Sequence, residues 1–319
     1  MATKNATKPA TKKTSPKSAP KKSVTTTKVT TVKAAARLKS TPQHNAGAAS
    51  MDTGRTSAFS LNNTTLNIVI AEVVGTFILV MVALLTLQNV MPLYLGLTVA
   101  LLVMSIGAVS GAHVNPAVTF GLWSVRRLKS ALLPFYWGAQ FIGAMAAVVV
   151  TNLMSSNSIA LDFGNFASLN WGIFMVELIG TAVFIFGLTA LTDRADLSSG
   201  TKAVGVGLSF FAGILVASSL FASVQSGIDQ SKIGVEVDEK TGQQKLSNVP
   251  HELRVKGATL NPAIALASTE QTDSQLQSGA VGEGEKQSSR LSLEVLLSTL
   301  IGAALGANLA RLMGRRFKA

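Results

Sequence analysis

The chain has 319 residues, 48% of them hydrophobic and only 14% charged, with a formal net charge of +12 and a positive mean hydropathy. Together these values are unusual for a soluble domain and favour a membrane protein. With no cysteine and three scattered histidines, His44, His113 and His251, the chain offers no disulfide framework, thiol nucleophile or histidine-cysteine metal cluster, and no cofactor is expected.

Residues 1–60 hold twelve of the 28 Lys and Arg and one acid, Asp52, so this segment carries +11 and the rest of the chain +1. It is built from Lys, Thr, Ser, Ala and Pro with almost no large apolar residue. Such a composition buries too little surface to offset the entropy of ordering, and a disordered basic tail is expected. It lacks the apolar stretch of a secretory signal, and it is Lys-rich where transit peptides are Arg-rich. The charge fits a cytoplasmic tail that touches anionic lipid, with no nucleic-acid partner.

From Leu66 the character changes. Apolar segments follow at about 66–88, 92–110, 130–153, 170–192, 201–224 and 291–312, each near the 20 residues or so that a helix needs to cross hydrocarbon. The links are short apart from two polar stretches, 225–257 and 269–290. Six spans put both termini on one side of the bilayer. The basic tail, Arg126, Arg127, Lys129, Arg194, Lys202, Arg311, Arg315, Arg316 and Lys318 share that side, while the loops near Asn89 and at 155–169 carry only Asp162. Enrichment of Lys and Arg on the inner face then makes both termini cytoplasmic, in a plasma or vesicle membrane, and leaves the sequons at Asn5, Asn62 and Asn63 unused.

The half at 66–153 echoes the half at 170–313 in order. Glu72-x-x-Gly75-Thr76 matches Glu177-x-x-Gly180-Thr181, Gly96-Leu97-Thr98 matches Gly207-Leu208-Ser209, Asn115-Pro116-Ala117 matches Asn261-Pro262-Ala263, and Ile142-Gly143-Ala144 matches Ile301-Gly302-Ala303. Three spans per repeat is an odd number, so the second repeat is expected to sit upside down relative to the first. The apolar runs at 118–123 and 264–267 are too short to span. Each box is therefore expected to open a half-length helix that dips into the membrane and stops.

One such box alone would be an ordinary helix cap. Asn caps free backbone N–H groups, and Pro at the first helical position has no N–H to leave unsatisfied. Two in register within an inverted repeat predict a central constriction, with two positive dipole ends and the amides of Asn115 and Asn261 turned into the lumen. Neutral solutes accept hydrogen bonds there, while a cation meets an unfavourable field.

At these residues the chain resembles the aquaporin, or major intrinsic protein, family. The carriers are SGAHVNPAVTF at 110–120, AEVVGT at 71–76, GAQFIGA at 138–144 and VELIGT at 176–181, and the resemblance runs from about 66 to 313. It implies an all-α membrane protein of six transmembrane helices plus two re-entrant half-helices, assembled as a homotetramer in a lipid bilayer, passing water or small neutral solutes such as glycerol or urea. The domain division expected is a basic tail at 1–60 and a channel domain at 61–319, with 225–257 as a polar outer-loop insertion. The resemblance also implies that Glu72 and Glu177, acids within apolar spans, hold the backbone of the re-entrant loops, the alternative being a proton relay. It gives His113 a structural loop role.

The family normally places an Arg directly after the second Asn-Pro-Ala, where this chain has Ile264. The other positions matching the outer filter are Leu95, Ile214 and Ala258, so all four are apolar. Such a filter is expected to be wider and less selective for water. Arg254 and Lys256 lie close in sequence without holding the matching position. Small residues at Gly138, Gly143 and in Gly302-x-x-x-Gly306 fit close helix crossings within a subunit or between subunits. A secondary transporter, for which only the two glutamates could bind a coupling ion, and a non-conducting structural relative are the alternatives. The chain shows no nucleophile-base or metal constellation of an enzyme, and no catalytic residue is expected.

Overall fold

Among the described residues, six helices are long and apolar enough to cross a membrane. The computed structural model describes residues 63–87, 90–154, 161–237, 244–282 and 285–316. The expected tail, the sequons at Asn5 and Asn62, and Asn89 lie outside those residues. The long helices are α1 (Asn63–Leu85), α2 (Met91–Ser110), α4 (Leu133–Met154), α5 (Trp171–Thr192), α6 (Ser199–Ser226) and α10 (Leu293–Arg316). Half-length helices α3 (Pro116–Ser124) and α8 (Pro262–Ala267) stand where the two boxes predict them.

The helix ends follow from local chemistry. Pro92 sits in the first turn of α2, and Gly111 closes that helix in the left-handed region at φ 86°, donating its N–H to the Gly107 carbonyl. Asn170 caps α5 by accepting from the Ile173 N–H, and Ser198 caps α6 by accepting from Thr201. On α1, Ala71, Gly75, Leu79 and Ala83 are buried, while Leu66, Ile70, Val74 and Ile78 are exposed on another face. Apolar residues on both the buried and the exposed face suit hydrocarbon rather than water.

The echoed glycines occupy equivalent contacts. A methyl group on Gly143 of α4 would meet the Val73 carbonyl of α1, one residue past Glu72; one on Gly302 of α10 would meet the Leu178 carbonyl of α5, one residue past Glu177. Gly207 of α6 lies against the Gly96 carbonyl of α2 in the same way. Gly306 packs on Ala182 of α5, so the Gly302-x-x-x-Gly306 pair serves a crossing inside the subunit. Around Gly138 nothing among the described residues lies within 4 Å of where its Cβ would stand, so of the two expected settings for a close crossing the one within the subunit is not used.

The polar stretches carry secondary structure of their own. Within 225–257, β2 (Gly234–Val237) and β3 (Gln244–Ser247) form an antiparallel hairpin, and α7 (His251–Arg254) follows. Within 269–290, α9 (Asp273–Ser278) begins with a capping box between Thr272 and Gln275. Further on, β4 (Gln287–Ser288) pairs in parallel with β1 (Leu161–Asp162). Arg254 joins the two stretches through Asp273 at 2.6 Å.

Candidate functional site

The loop ahead of α3 is held by one buried carboxylate. Glu72 accepts from Ser110 Oγ at 2.6 Å, the His113 N–H at 3.0 Å, the Val114 N–H at 2.7 Å and Gln140 Nε2 at 2.8 Å. Two residues of this loop, Ala112 and Val114, take positive φ without being glycine, at 50° and 44°. That conformation costs about 1–2 kcal/mol per residue, which charge-assisted hydrogen bonds offset. His113 stacks on Tyr136 with ring centroids 4.4 Å apart, and its Nδ1 lies 3.2 Å from Thr119 Oγ1.

The second loop repeats the device. Glu177 accepts from the Thr259 N–H at 2.9 Å and Oγ1 at 3.2 Å, and from the Leu260 N–H at 2.8 Å. Leu260, which precedes Asn261 as Val114 precedes Asn115, also has positive φ, at 51°. Both glutamates are fully buried.

The boxes themselves meet. Asn115 Oδ1 accepts the Ala117 N–H at 2.8 Å and Asn261 Oδ1 accepts the Ala263 N–H at 2.9 Å, so each side chain caps its own half-helix. Each amide nitrogen then crosses over. Asn115 Nδ2 donates to the Leu260 carbonyl at 2.9 Å, and Asn261 Nδ2 donates to the Val114 carbonyl at 3.0 Å. One of the two N–H groups on each amide is thus spent on the opposite loop, which leaves the other for the expected lumen. Both asparagines, with His113, Phe184 and Phe210, border a space of about 10 Å³, roughly the room that one water occupies. Pro116, Pro262, Ala117 and Ala263 are buried beside them.

Outside this point lies a larger cavity of about 260 Å³, lined by Leu95, Ala258 and Ile264 among others. Three of the four expected filter residues therefore come together. Ile214 does not line this cavity; seven residues past Gly207, it falls on the same face of α6 as that glycine and is buried. The cavity wall instead includes Lys256 and Arg290.

Arg290 belongs to a buried ionic group that sequence reasoning missed. Its Nη1 donates to Glu294 Oε1 at 3.0 Å. His251 Nε2 lies 2.7 Å from Glu270, and its Nδ1 lies 3.6 Å from Glu294. Burial alone would lower the His251 pKa, but the hydrogen bond to Glu270 and the charges of Glu270 and Glu294 carry it above the ordinary value. Ser110 and Gln140 were also unassigned in the sequence, although both fall inside the segments that carry the family resemblance. No group of three or more His, Cys, Asp or Glu able to hold a metal ion occurs among the described residues.

Six membrane-length helices enclosing two half-helices that meet at their first turns define an all-α multi-pass membrane protein with re-entrant halves. Residues 60–225 match the family model "Major intrinsic protein", just over half of the chain, and the chain belongs to that family. Aquaporins of that family are channels, not enzymes. It is 34% identical to Aquaporin Z of Brucella melitensis over 125 residues, covering 35% of this chain and 55% of that protein. Against Aquaporin NIP2-3 of Zea mays it is 31% identical over 172 residues, covering 50% and 55%, and against human Aquaporin-1 34% over 128 residues, covering 38% and 47%. The chain thus spans about half the length of the curated relatives it matches. An X-ray structure of the aquaglyceroporin from Plasmodium falciparum is similar with a TM-score of 0.46 and 20% identity, covering 78% of this chain and 95% of that one.

Proposed function

We propose that this chain is a passive transmembrane channel for water or small neutral solutes such as glycerol or urea, with its central constriction at Asn115 and Asn261. The observation that carries the reading is the reciprocal pair of hydrogen bonds from each asparagine to the opposite loop, which brings two capped half-helices to one point inside the bundle. Each amide keeps a second N–H for an acceptor beside it. Leu95, Ala258 and Ile264 serve as apolar walls of the outer constriction, and Glu72, Glu177 and His113 act as loop supports rather than as a proton relay. Residues 61–319 form the channel domain, both termini are cytoplasmic, and the channel assembles as a homotetramer.

Osmotic swelling of proteoliposomes, compared across water, glycerol and urea, tests this. Swelling faster than empty vesicles is expected for at least one of the three; no acceleration with correctly inserted protein overturns the reading. The small space at the asparagine pair favours a second reading, a non-conducting relative, which predicts that null result.

A further inference from the structure

The polar segment ahead of α10 brings a neutral amide to the outer cavity. Along β4 and the residue after it, Gln287 is buried, Ser288 is only partly buried and Ser289 is buried again. Ser289 Oγ donates to the Leu266 carbonyl at the end of α8 at 2.9 Å, and the Ser289 N–H donates to the Asp162 carbonyl at 2.7 Å, continuing the β1–β4 pairing. Successive side chains of a strand point to opposite faces, so Gln287 shares the face of Ser289, toward α8. There it borders the cavity with Leu95, Ala258 and Ile264, and 9% of its surface is exposed.

The Gln287 amide has no partner in the protein. Neither Oε1 nor Nε2 forms a hydrogen bond among the described residues, yet neither is sealed off from accessible space, as Nε and Nη2 of Arg290 are. A glutamine kept for packing alone would spend its amide on the backbone or hydroxyls beside it, because buried polar groups without partners are costly and rare. Gln275 of α9 borders the same cavity; its Oε1 accepts the Thr272 N–H at 3.1 Å in the capping box, which leaves its Nε2 without a partner. The lining holds no carboxylate among the described residues, so a cationic solute meets no counter-charge there and a neutral one is favoured.

We propose that Gln287 forms a binding subsite in the outer cavity for a small neutral amide of the urea and acetamide class. Its Nε2 donates to the solute carbonyl and its Oε1 accepts from the solute N–H, two bonds in one plane that a second amide returns together. Gln275 Nε2 supplies a further donor in the same cavity, and Leu95, Ala258 and Ile264 supply its apolar part. A polyol meets the amide only through separate hydroxyls whose rotations must be frozen, so the subsite favours an amide over glycerol. Binding rests on the cavity alone; its consequence for permeation rests on the channel reading above.

The full chain is placed in lipid nanodiscs as wild type, Gln287→Met and Gln287→Leu, and NMR saturation transfer from protein to solute protons is measured with acetamide and with glycerol. Met keeps the length of the side chain without its polar atoms; Leu is the second variant should Met not incorporate. Wild type is expected to transfer about threefold more to acetamide than to glycerol, and the acetamide signal to fall about fivefold in either variant, as the loss of such hydrogen bonds predicts. Equal transfer to the two solutes in wild type, an unchanged acetamide signal in the incorporated variant, or a loss shared equally by glycerol overturns the subsite. Flux into proteoliposomes carrying the same proteins reads the channel separately. The ratio of urea to glycerol permeability is expected to fall about threefold in the variants, since a site built to bond a polar group discriminates by that bond. A conducting variant with an unchanged ratio overturns the part of Gln287 in selection. Wild-type protein that passes no solute overturns the channel reading, while the NMR result still decides the subsite.

Discussion

Asn115 donates its side-chain amide to the backbone carbonyl of Leu260 at 2.9 Å, across 145 residues of sequence. Leu260 is in turn held by Glu177, so one carboxylate, one strained backbone position and one amide form a continuous line from the fifth helix to the start of the first half-helix. Asn261, Val114 and Glu72 form the matching line in the other direction.

Replacing Asn261 with Asp removes the donor to the Val114 carbonyl and sets a carboxylate against it. An unsatisfied buried group costs about 1–3 kcal/mol. Solute permeability at equal protein density is expected to fall at least about fivefold, with a lower melting temperature in detergent. Swelling rates equal to wild type would remove Asn261 from the pathway.

Glu72→Gln keeps the shape but loses the charge that four donors share. The Val114 backbone at positive φ then has weaker support, and a destabilisation of roughly 2–3 kcal/mol is expected. Thermal unfolding in detergent reads it. Were Glu72 a proton relay instead, proton flux would drop while the melting temperature held.

The glycines sort by their neighbours. Gly143→Ala and Gly302→Ala each drive a methyl group into a backbone carbonyl of the facing helix, and each is expected to cost about 1–3 kcal/mol. Gly138→Ala, with open space around it, is expected to stabilise its helix by up to about 1 kcal/mol. Melting temperatures of the three variants check the order; Gly138→Ala below the other two would contradict it.

His251 gives the pH dependence. Its folded-state pKa lies above the ordinary 6.5, so the stability it contributes is present below that value and fades as pH rises through the folded pKa. The excess melting temperature of wild type over His251→Gln should therefore be larger at about pH 5.5 than at about pH 9. An excess that stays constant across the range refutes the link between this histidine and Glu270.

The spans and boxes were legible because hydrocarbon demands long apolar helices and because Asn-Pro starts a helix by its own chemistry. Glu72 and Glu177 stood out as acids in apolar runs. The ionic group around Arg290 was not legible. Its members come from α7, from the segment after α8 and from α10, and the pairing that aligns them, between β1 and β4, is only two residues long. Ile214, expected with Leu95, Ala258 and Ile264 at the outer filter, is buried in the same core cluster as those three, but a sequence does not tell which of them border the open cavity. The amide directions of Asn115 and Asn261 depended on carbonyls that only the folded loops present.

The partners of Glu72 all come from the first half of the chain: Ser110, His113, Val114 and Gln140. During synthesis these contacts become available as soon as the first three spans have left the ribosome, whereas the acceptor for Asn115 has yet to be translated. The contacts that shape the first loop are thus encoded wholly in the first half, and the second half supplies the closing pair of amide bonds. In a chain arrested after α4 every partner of the carboxylate clasp is already translated and Asn115 Oδ1 has the Ala117 N–H, so only the amide nitrogen of Asn115 waits for a partner from the second half.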